Sequence, residues 1–495
     1  PKDSVVLFRS EFHLDQVPTT APARIWVDGR YVLVVNGTEI ARGPVRSEPR
    51  TAHYDFVDLA AHLREGANVI AITARHFGLS TSWWIPVPPT YSLGAGSLVF
   101  EALIGQDWVV SDRSWRCTPG EAWTAVSVPG DVACLPLESF DAQVHPWGWE
   151  SPGFDDSAWS KSFEITPMHT GADGRSSPPS SPFGMLRPPV RLEFQGGAEH
   201  VASHESTVWV EGAALQADPV QQVLQDQETP RLLEPRASLQ GIEIRQFDLG
   251  HIAAGLVNLR VKNAQPGTTI DIAASEHRSE DGNLVTLGQH AGLRYVCRGD
   301  SAESFESLDI IGTRFLDVAL RAPQTSASAT SDTSSTTAAL SLEISIAEQH
   351  RPRPAGASFE CSDPLLNQIH EIGLRTVDLC ALDAYVDCPT REQRAWTGDS
   401  VVHQMVDLVS NPDWSMPIWH PQLATHSRPD GMLAMAAASD FSADDRMYIP
   451  DWALHWIHSL FNLYRYTGDT ELVAEYLPVA ERVLRWFESF LGPDD

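Results

Sequence analysis

The chain has 495 residues, 42% of them hydrophobic, enough to bury several cores and to suggest roughly two to four domains. A formal net charge of -30, from 65 Asp and Glu against 35 Lys and Arg, repels phosphate backbones and anionic lipid and so argues against nucleic acid or a membrane surface as partner. Six cysteines (Cys117, Cys134, Cys297, Cys361, Cys380, Cys388) without a C-x-x-C pair exclude a zinc ribbon and a disulfide-dense scaffold, and no apolar run approaches the ~20 residues that span a bilayer.

No signal peptide precedes Pro1, and a chain that opens on proline reads as trimmed; the compartment is left open, with the cytoplasm favoured over secretion. Residues 1–165 read as all-β. Ile25 to Val35 is a strand rich in Val, Tyr and Trp, Asn36-Gly37 is a type I′ turn signal, and Thr38 to Ala41 returns as its hairpin partner. The sequon Asn36-Gly37-Thr38 therefore reads as a turn before a glycan site. Strands at Asn68 to Ala74, Ser97 to Ile104 and Trp108 to Ser111, separated by Gly and Pro, have the spacing of a β-sandwich, with a helical piece at Leu59 to Leu63.

Residues 166–189 shift to Ser, Pro and Gly and read as a linker. A second β-sandwich is expected over 190–355, with strands at Ile242 to Asp248, Val257 to Val261, Thr268 to Ala274 and Phe315 to Leu320, and a Ser/Thr/Ala loop from Gln324 to Ala338. From Phe359 the apolar period becomes helical. Asp363 caps a helix whose Leu366, Ile369, Ile372 and Thr376 share one face. Ser400 to Val409 is a second helix with Val402, Met405, Val406 and Val409 aligned. A third runs from Asp451 to Tyr466 and is ended by Gly468. Thr470 to Leu491 is a fourth, with Leu472, Tyr476, Val483, Leu484 and Phe487 inward and Gly492 just past its end.

Between the first two helices, Asp387 to Asp399 packs three carboxylates, two arginines and a tryptophan into a segment that Pro389 and Gly398 keep irregular. Closely set carboxylates drive their pKa values apart, so Asp387, Glu392 and Asp399 suit acid/base chemistry such as glycoside hydrolysis. The competing structural reading makes Asp399 a helix N-cap and pairs Glu392 with Arg391 or Arg394 on a wet surface. Trp396 offers an aromatic face to a sugar, as do Trp83, Trp84, Trp414, Trp419, Trp452 and Trp456, although core packing is the better reading of Trp456. Asp451, His455 and His458 share a helical face and imitate metal ligands, but no further strong ligand is evident and no metal is assigned. Gly94-Ala95-Gly96 lacks the third glycine of a dinucleotide loop, and nothing asks for an organic cofactor.

Asp387-Cys388-Pro389, Arg391 and Trp396-Thr397-Gly398-Asp399 closely resemble the signature of the α-L-rhamnosidases of glycoside hydrolase family 78. Further resemblances cover most of the chain. Arg24 to Phe77 and Phe154 to Trp159 are similar to the family's jelly-roll accessory domain, Asp248 to Phe315 to its second β-sandwich, and Phe359 to Leu366 to the entry of its (α/α)6 barrel. The resemblance implies an inverting hydrolase that releases terminal α-L-rhamnose from rhamnosides, with residues 356–495 as the start of the barrel. It implies Glu392 as general acid, Asp387 and Asp399 on the sugar hydroxyls, Arg391 nearby, and Trp396 and Trp452, with Asp451, lining the pocket. The acidic stretch here is Glu392-Gln393, and Gln393 cannot donate a proton, so Glu392 is the acid available. The family's general base comes from a later helix, so the chain is expected to be an N-terminal portion, inactive unless another chain supplies the remaining barrel helices. A homodimer is left open. The alternatives are a barrel hydrolase for another sugar and a carbohydrate-binding module without catalysis.

Overall fold

The structure is a computed structural model and describes residues 4–47, 52–76, 96–126, 137–165, 186–190, 195–210, 242–285, 291–321, 339–351, 353–354, 356–390, 392–425, 430–436 and 448–492. Trp83, Trp84, Gly94, Ala95, Cys134, the Ser/Pro-rich stretch 166–185, the Ser/Thr/Ala run 322–338 and Arg391 lie outside these residues.

The expected hairpin forms. Arg30–Val35 and Thr38–Gly43 pair antiparallel around Asn36 and Gly37, both left-handed at φ 52° and 80°, as a type I′ turn requires. Its first strand is shorter than expected, because Ile25 to Val35 is two strands, Pro22–Val27 and Arg30–Val35, in different sheets. Gly29 makes the break at φ 121°, where a Cβ would lie 2.0 Å from the Arg75 carbonyl oxygen. Ser4–Leu14, a strand that the sequence reading missed, pairs along its whole length with Gly66–His76. These two form the middle of a six-stranded sheet, opposite a four-stranded sheet of Asp55–Asp58, Pro22–Val27, Leu98–Ile104 and Asp107–Val110. Ile25, Phe100 and Ala102 of the smaller sheet pack with Leu33, Ile70 and Ile72 of the larger.

The second β region is a nine-stranded sheet built on two long antiparallel strands, Ile242–Lys262 and Ala302–Arg321. The separate strands expected at Ile242 to Asp248 and Val257 to Val261 are the two ends of the first. Its register slips between Asp248 and Ala253, beside Gly250 at φ 82°, so one end pairs with Ser203–Val210 and the other with Ser341–His350. Trp123–Val126 and Leu137–Asp141 also join this sheet, and Phe140 stacks on Tyr295 at 5.9 Å.

Among the described residues six α-helices follow: α1 (Pro364–Cys380), α2 (Ser400–Ser410), α3 (Ser415–Trp419), α4 (Pro450–Thr467), α5 (Thr470–Ala474) and α6 (Leu477–Glu488). Asp363 caps α1 by accepting from the Leu365 N–H, and Gly468, left-handed at φ 66°, ends α4. The expected fourth helix is two, interrupted before Pro478, and it stops at Glu488 short of Gly492. The helical core joins Val377, Tyr385, Met416, Trp419, Trp456, Tyr476 and Val483. The stripe that shares one face of α1 stays uncovered: Leu366, Ile369 and Ile372 are 48%, 55% and 58% exposed, while Val377, Leu379 and Cys380 at the helix end are buried. Val402, Met405 and Val409 of α2 and Leu484 of α6 are exposed in the same way. The apolar stripes exist as read, but no described residue covers them.

Gly29→Ala should cost about 3 kcal/mol in urea unfolding, since neither the backbone angle nor the Arg75 carbonyl can yield. Gly105→Ala, also at positive φ (67°) but with nothing within 4 Å of its Cβ, should cost only about 1 kcal/mol. Equal losses at the two sites would contradict the close approach at Gly29.

Candidate active site

Between α1 and α2 the described residues from Ala381 to Asp399 form no helix, and their backbone groups are satisfied from several directions. Asp387 and Arg394 close the loop on each other. The Asp387 N–H donates to the Arg394 carbonyl at 3.0 Å, and the Arg394 N–H donates to Asp387 Oδ1 at 3.0 Å. Pro389 cannot donate, but its carbonyl accepts from the Gly312 N–H of the nine-stranded sheet at 3.1 Å. A Cβ on Gly312 would lie 2.6 Å from that oxygen, so glycine permits the approach. The Thr390 hydroxyl donates to Glu276. The Gln393 side-chain amide donates to the Ile310 and Pro389 carbonyls at 3.0 and 2.7 Å. Thr397 anchors the far end through its N–H to the Met435 carbonyl and its hydroxyl to that of Ala434.

At the turn of this loop Glu392 and Gln393 stand in succession at φ 53° and 49°. Left-handed backbone costs a non-glycine residue roughly 1–2 kcal/mol, so the surroundings must over-determine it. The Trp396 indole N–H donates to Glu392 Oε2 at 2.9 Å, which fixes the carboxylate by a group that cannot itself ionise in water. Asp387 is set beside it. Burial, chiefly, pushes the Asp387 carboxyl up to about 7; the Cys388 thiol, donating to Oδ2 at 3.1 Å, opposes that, and the Glu392 carboxylate adds to it. Asp399 occupies the N-cap position of α2 yet makes no capping hydrogen bond; its Oδ2 accepts from the Trp452 indole N–H at 3.0 Å. Burial raises the Asp399 carboxyl above its ordinary range, and the Trp452 bond opposes the shift. Gly398 makes this possible, because a Cβ there would sit 2.5 Å from the Trp452 ring.

The structure thus gathers Asp387, Glu392, Trp396, Asp399 and Trp452 around one loop. Trp396 packs with Met435, Ala436, Ile449 and Trp452 and is largely buried. Asp451, one residue along, is exposed in the first turn of α4. Trp419 and Trp456 are core, their indoles donating to the Asp383 and Pro421 carbonyls, and Trp414 sits edge-on to Tyr466 at 6.3 Å. His455 and His458 are exposed, with the His455 ring 5.9 Å from Trp452. Among the described residues no group of three or more His, Cys, Asp and Glu side chains is placed to hold a metal ion.

Behind the loop lies a buried network. The Tyr385 hydroxyl donates to Asp407 at 2.7 Å, and Arg353 bridges Asp407, Asp378 and Ser410. His420 is pushed down to about 3 by burial, so its Nδ1 stays free to accept the Tyr385 N–H at 3.1 Å. Sequence reasoning missed Glu276 and Arg46, which reach the loop from elsewhere in the chain, and Asp383 near the loop's start, which Arg46 and Arg30 meet. None lies in a local motif, so only the tertiary arrangement could reveal them.

Comparison with known proteins follows the same lines. A family model described as the alpha-L-rhamnosidase N-terminal domain matches residues 18–181, and one described as the bacterial alpha-L-rhamnosidase 6 hairpin glycosidase domain matches residues 354–491. The chain is 22% identical to an alpha-L-rhamnosidase of Formosa agariphila, covering 98% of this chain and 47% of the relative. It is 24% identical to an alpha-L-rhamnosidase of Streptomyces avermitilis, covering 97% and 41%. The chain therefore spans less than half the length of these curated relatives. Its fold is similar to the crystal structure of a GH78 family rhamnosidase of Bacillus sp. GL1, with a TM-score of 0.75 at 19% identity, covering 100% of this chain and 68% of the other.

The raised Asp387 carboxyl makes a pH prediction with a definite sign. The folded chain keeps a proton up to about pH 7 that the unfolded chain releases near 3.8, so this group favours folding at low pH and the advantage is lost as pH rises between those values. Asp387→Asn removes the titration while keeping the acceptor for the Arg394 N–H. Its urea midpoint should gain on the wild type at pH 8 relative to pH 5. The same difference at both pH values would contradict the assignment.

Proposed function

Because the chain belongs to the α-L-rhamnosidases of glycoside hydrolase family 78, we propose that this protein hydrolyses terminal α-L-rhamnosides, with Glu392 as general acid. The observation that carries the reading is the placement of Glu392, held by the Trp396 indole beside a second carboxyl pushed up to about 7. Burial favours the neutral Asp387 carboxyl beside it, and in the proposed role Glu392 passes its proton to the departing glycosidic oxygen. Trp396 then has two uses, since the hydrogen bond orients the acid while the ring borders the space where a pyranose would lie. Asp387 and Asp399 accept from sugar hydroxyls, Trp452 gives an apolar wall, Asp451 stands at the rim, and Arg391 is assigned to substrate binding.

The reaction proposed is inversion. A second carboxylate, the general base, activates water on the opposite face of the ring, ~6.5–9.5 Å from the acid. We assign that base to further helices of an (α/α)6 barrel, of which α1 to α6 are the opening part. The uncovered apolar stripes of α1 and α2 support this, since such faces on a helix are ordinarily packed against neighbours. On the same reading residues 1–165 are an accessory β-sandwich, two of whose strands, Trp123–Val126 and Leu137–Asp141, join the next sheet, 166–189 a linker and 190–355 a second sandwich, with the barrel from 356.

Glu392→Gln should leave sugar binding in place and lower kcat on an alkyl rhamnoside by about 10²–10⁴-fold. Near-normal turnover would overturn the assignment of the acid.

A further inference from the structure

Arg46 lies just after Thr38–Gly43, in the N-terminal sandwich, yet it is buried at the helical region, 5% exposed. Its guanidinium Nη1 donates to the carbonyl of Gln393 at 3.3 Å. Its backbone N–H donates to Asp383 Oδ2 at 3.0 Å, and its Nε stands 3.3 Å from Asp383 Oδ1. Arg30, from the same sandwich, is 3.4 Å from the same carboxylate. Burial alone would raise the Asp383 carboxyl, but Arg46 and Arg30 outweigh it and hold the group below the usual carboxylate range. A fixed ion pair therefore clamps the N-terminal sandwich to the loop, and one arm of that clamp grips the residue after Glu392.

We propose that Arg46 is a positioning residue for hydrolysis: its guanidinium holds the Gln393 carbonyl and thereby keeps the Glu392-Gln393 turn, and the Glu392 carboxyl, in place. The inference rests on Glu392 being the acid. Among the described residues of the loop, the turn is the one place where two consecutive side-chain-bearing residues are left-handed, and relaxation of either would swing the carboxyl. A hydrogen bond from a charged donor is about twice as strong as a neutral one, so this contact suits the task. Misplacing a catalytic group by ~1 Å can cost ~10²-fold in rate.

The test uses Arg46→Met combined with Asp383→Asn, which removes both charges and leaves no lone buried ion, alongside Arg46→Lys, which keeps the charge near Asp383 but loses the planar fork. Both should lower kcat on an alkyl rhamnoside, by about 10- to 100-fold for the double variant and less for Arg46→Lys, with KM within about twofold. In the full chain, hydrogen exchange at residues 389–397 should quicken at least about tenfold in the double variant while the nine-stranded sheet exchanges as before. Wild-type kcat with unchanged exchange, in either folded variant, would overturn the role of Arg46. Glu392→Gln is measured in parallel. If it keeps turnover the acid assignment has failed, and the exchange data still decide whether Arg46 holds the turn. If it is inactive while both Arg46 variants are normal, only this inference fails.

Discussion

Glu392 and Gln393 hold consecutive left-handed backbone angles that neither residue would choose, at a cost of roughly 1–2 kcal/mol each, and most of the molecule can be described by what keeps them there. Trp396, from within the loop, takes the Glu392 carboxylate. Ile310 and Gly312, on a long strand of the nine-stranded sheet, take the Gln393 amide and the Pro389 carbonyl. Glu276, just past another strand of that sheet, takes Thr390, and Arg46, from the N-terminal sandwich, takes the Gln393 carbonyl. The helical region contributes the Met435 and Ala434 carbonyls at the far end. Three separate parts of the chain meet on a few peptide units, so the β regions are part of the apparatus that shapes the loop.

The electrostatics follow from the same crowding. Asp387 and Asp399 are removed from water by packing, which favours their neutral forms, while donors from Cys388 and Trp452 offset part of the shift. Indole and thiol donors orient a carboxylate without adding a formal positive charge at the site. Further cations stand one layer back: Arg46 and Arg30 on Asp383, and Arg353 between Asp407 and Asp378. There they fix the loop's supports.

Much of this was legible in the sequence, because the informative signals were local. Asn36-Gly37, Asp363-Pro364 and Gly468 specify a turn, a helix start and a helix end through backbone preferences that tertiary contacts leave unchanged. The segment Asp387 to Asp399 stood out because its proline, glycine and carboxylates are adjacent. What could not be read depends on distant partners. Gly29 redirects a strand between sheets because of the Arg75 carbonyl, and Gly250 lets one strand serve two neighbours. The N-cap reading of Asp399 fell to Trp452, 53 residues away in sequence. Helical periodicity found the stripes of α1 and α2, but periodicity reports only that a face is apolar, and the covering partner has to be found in three dimensions.

The central claim, that Glu392 gives a proton to the leaving oxygen, is tested most directly by varying how much that proton is needed. In Glu392→Ala, a rhamnoside with a strongly acidic phenol as leaving group should be hydrolysed at a rate close to the wild type, whereas an alkyl rhamnoside should be slowed by ~10²–10⁴-fold. Equal losses on both substrates would contradict the claim, because a group that serves only to bind or to shape the loop would not distinguish them.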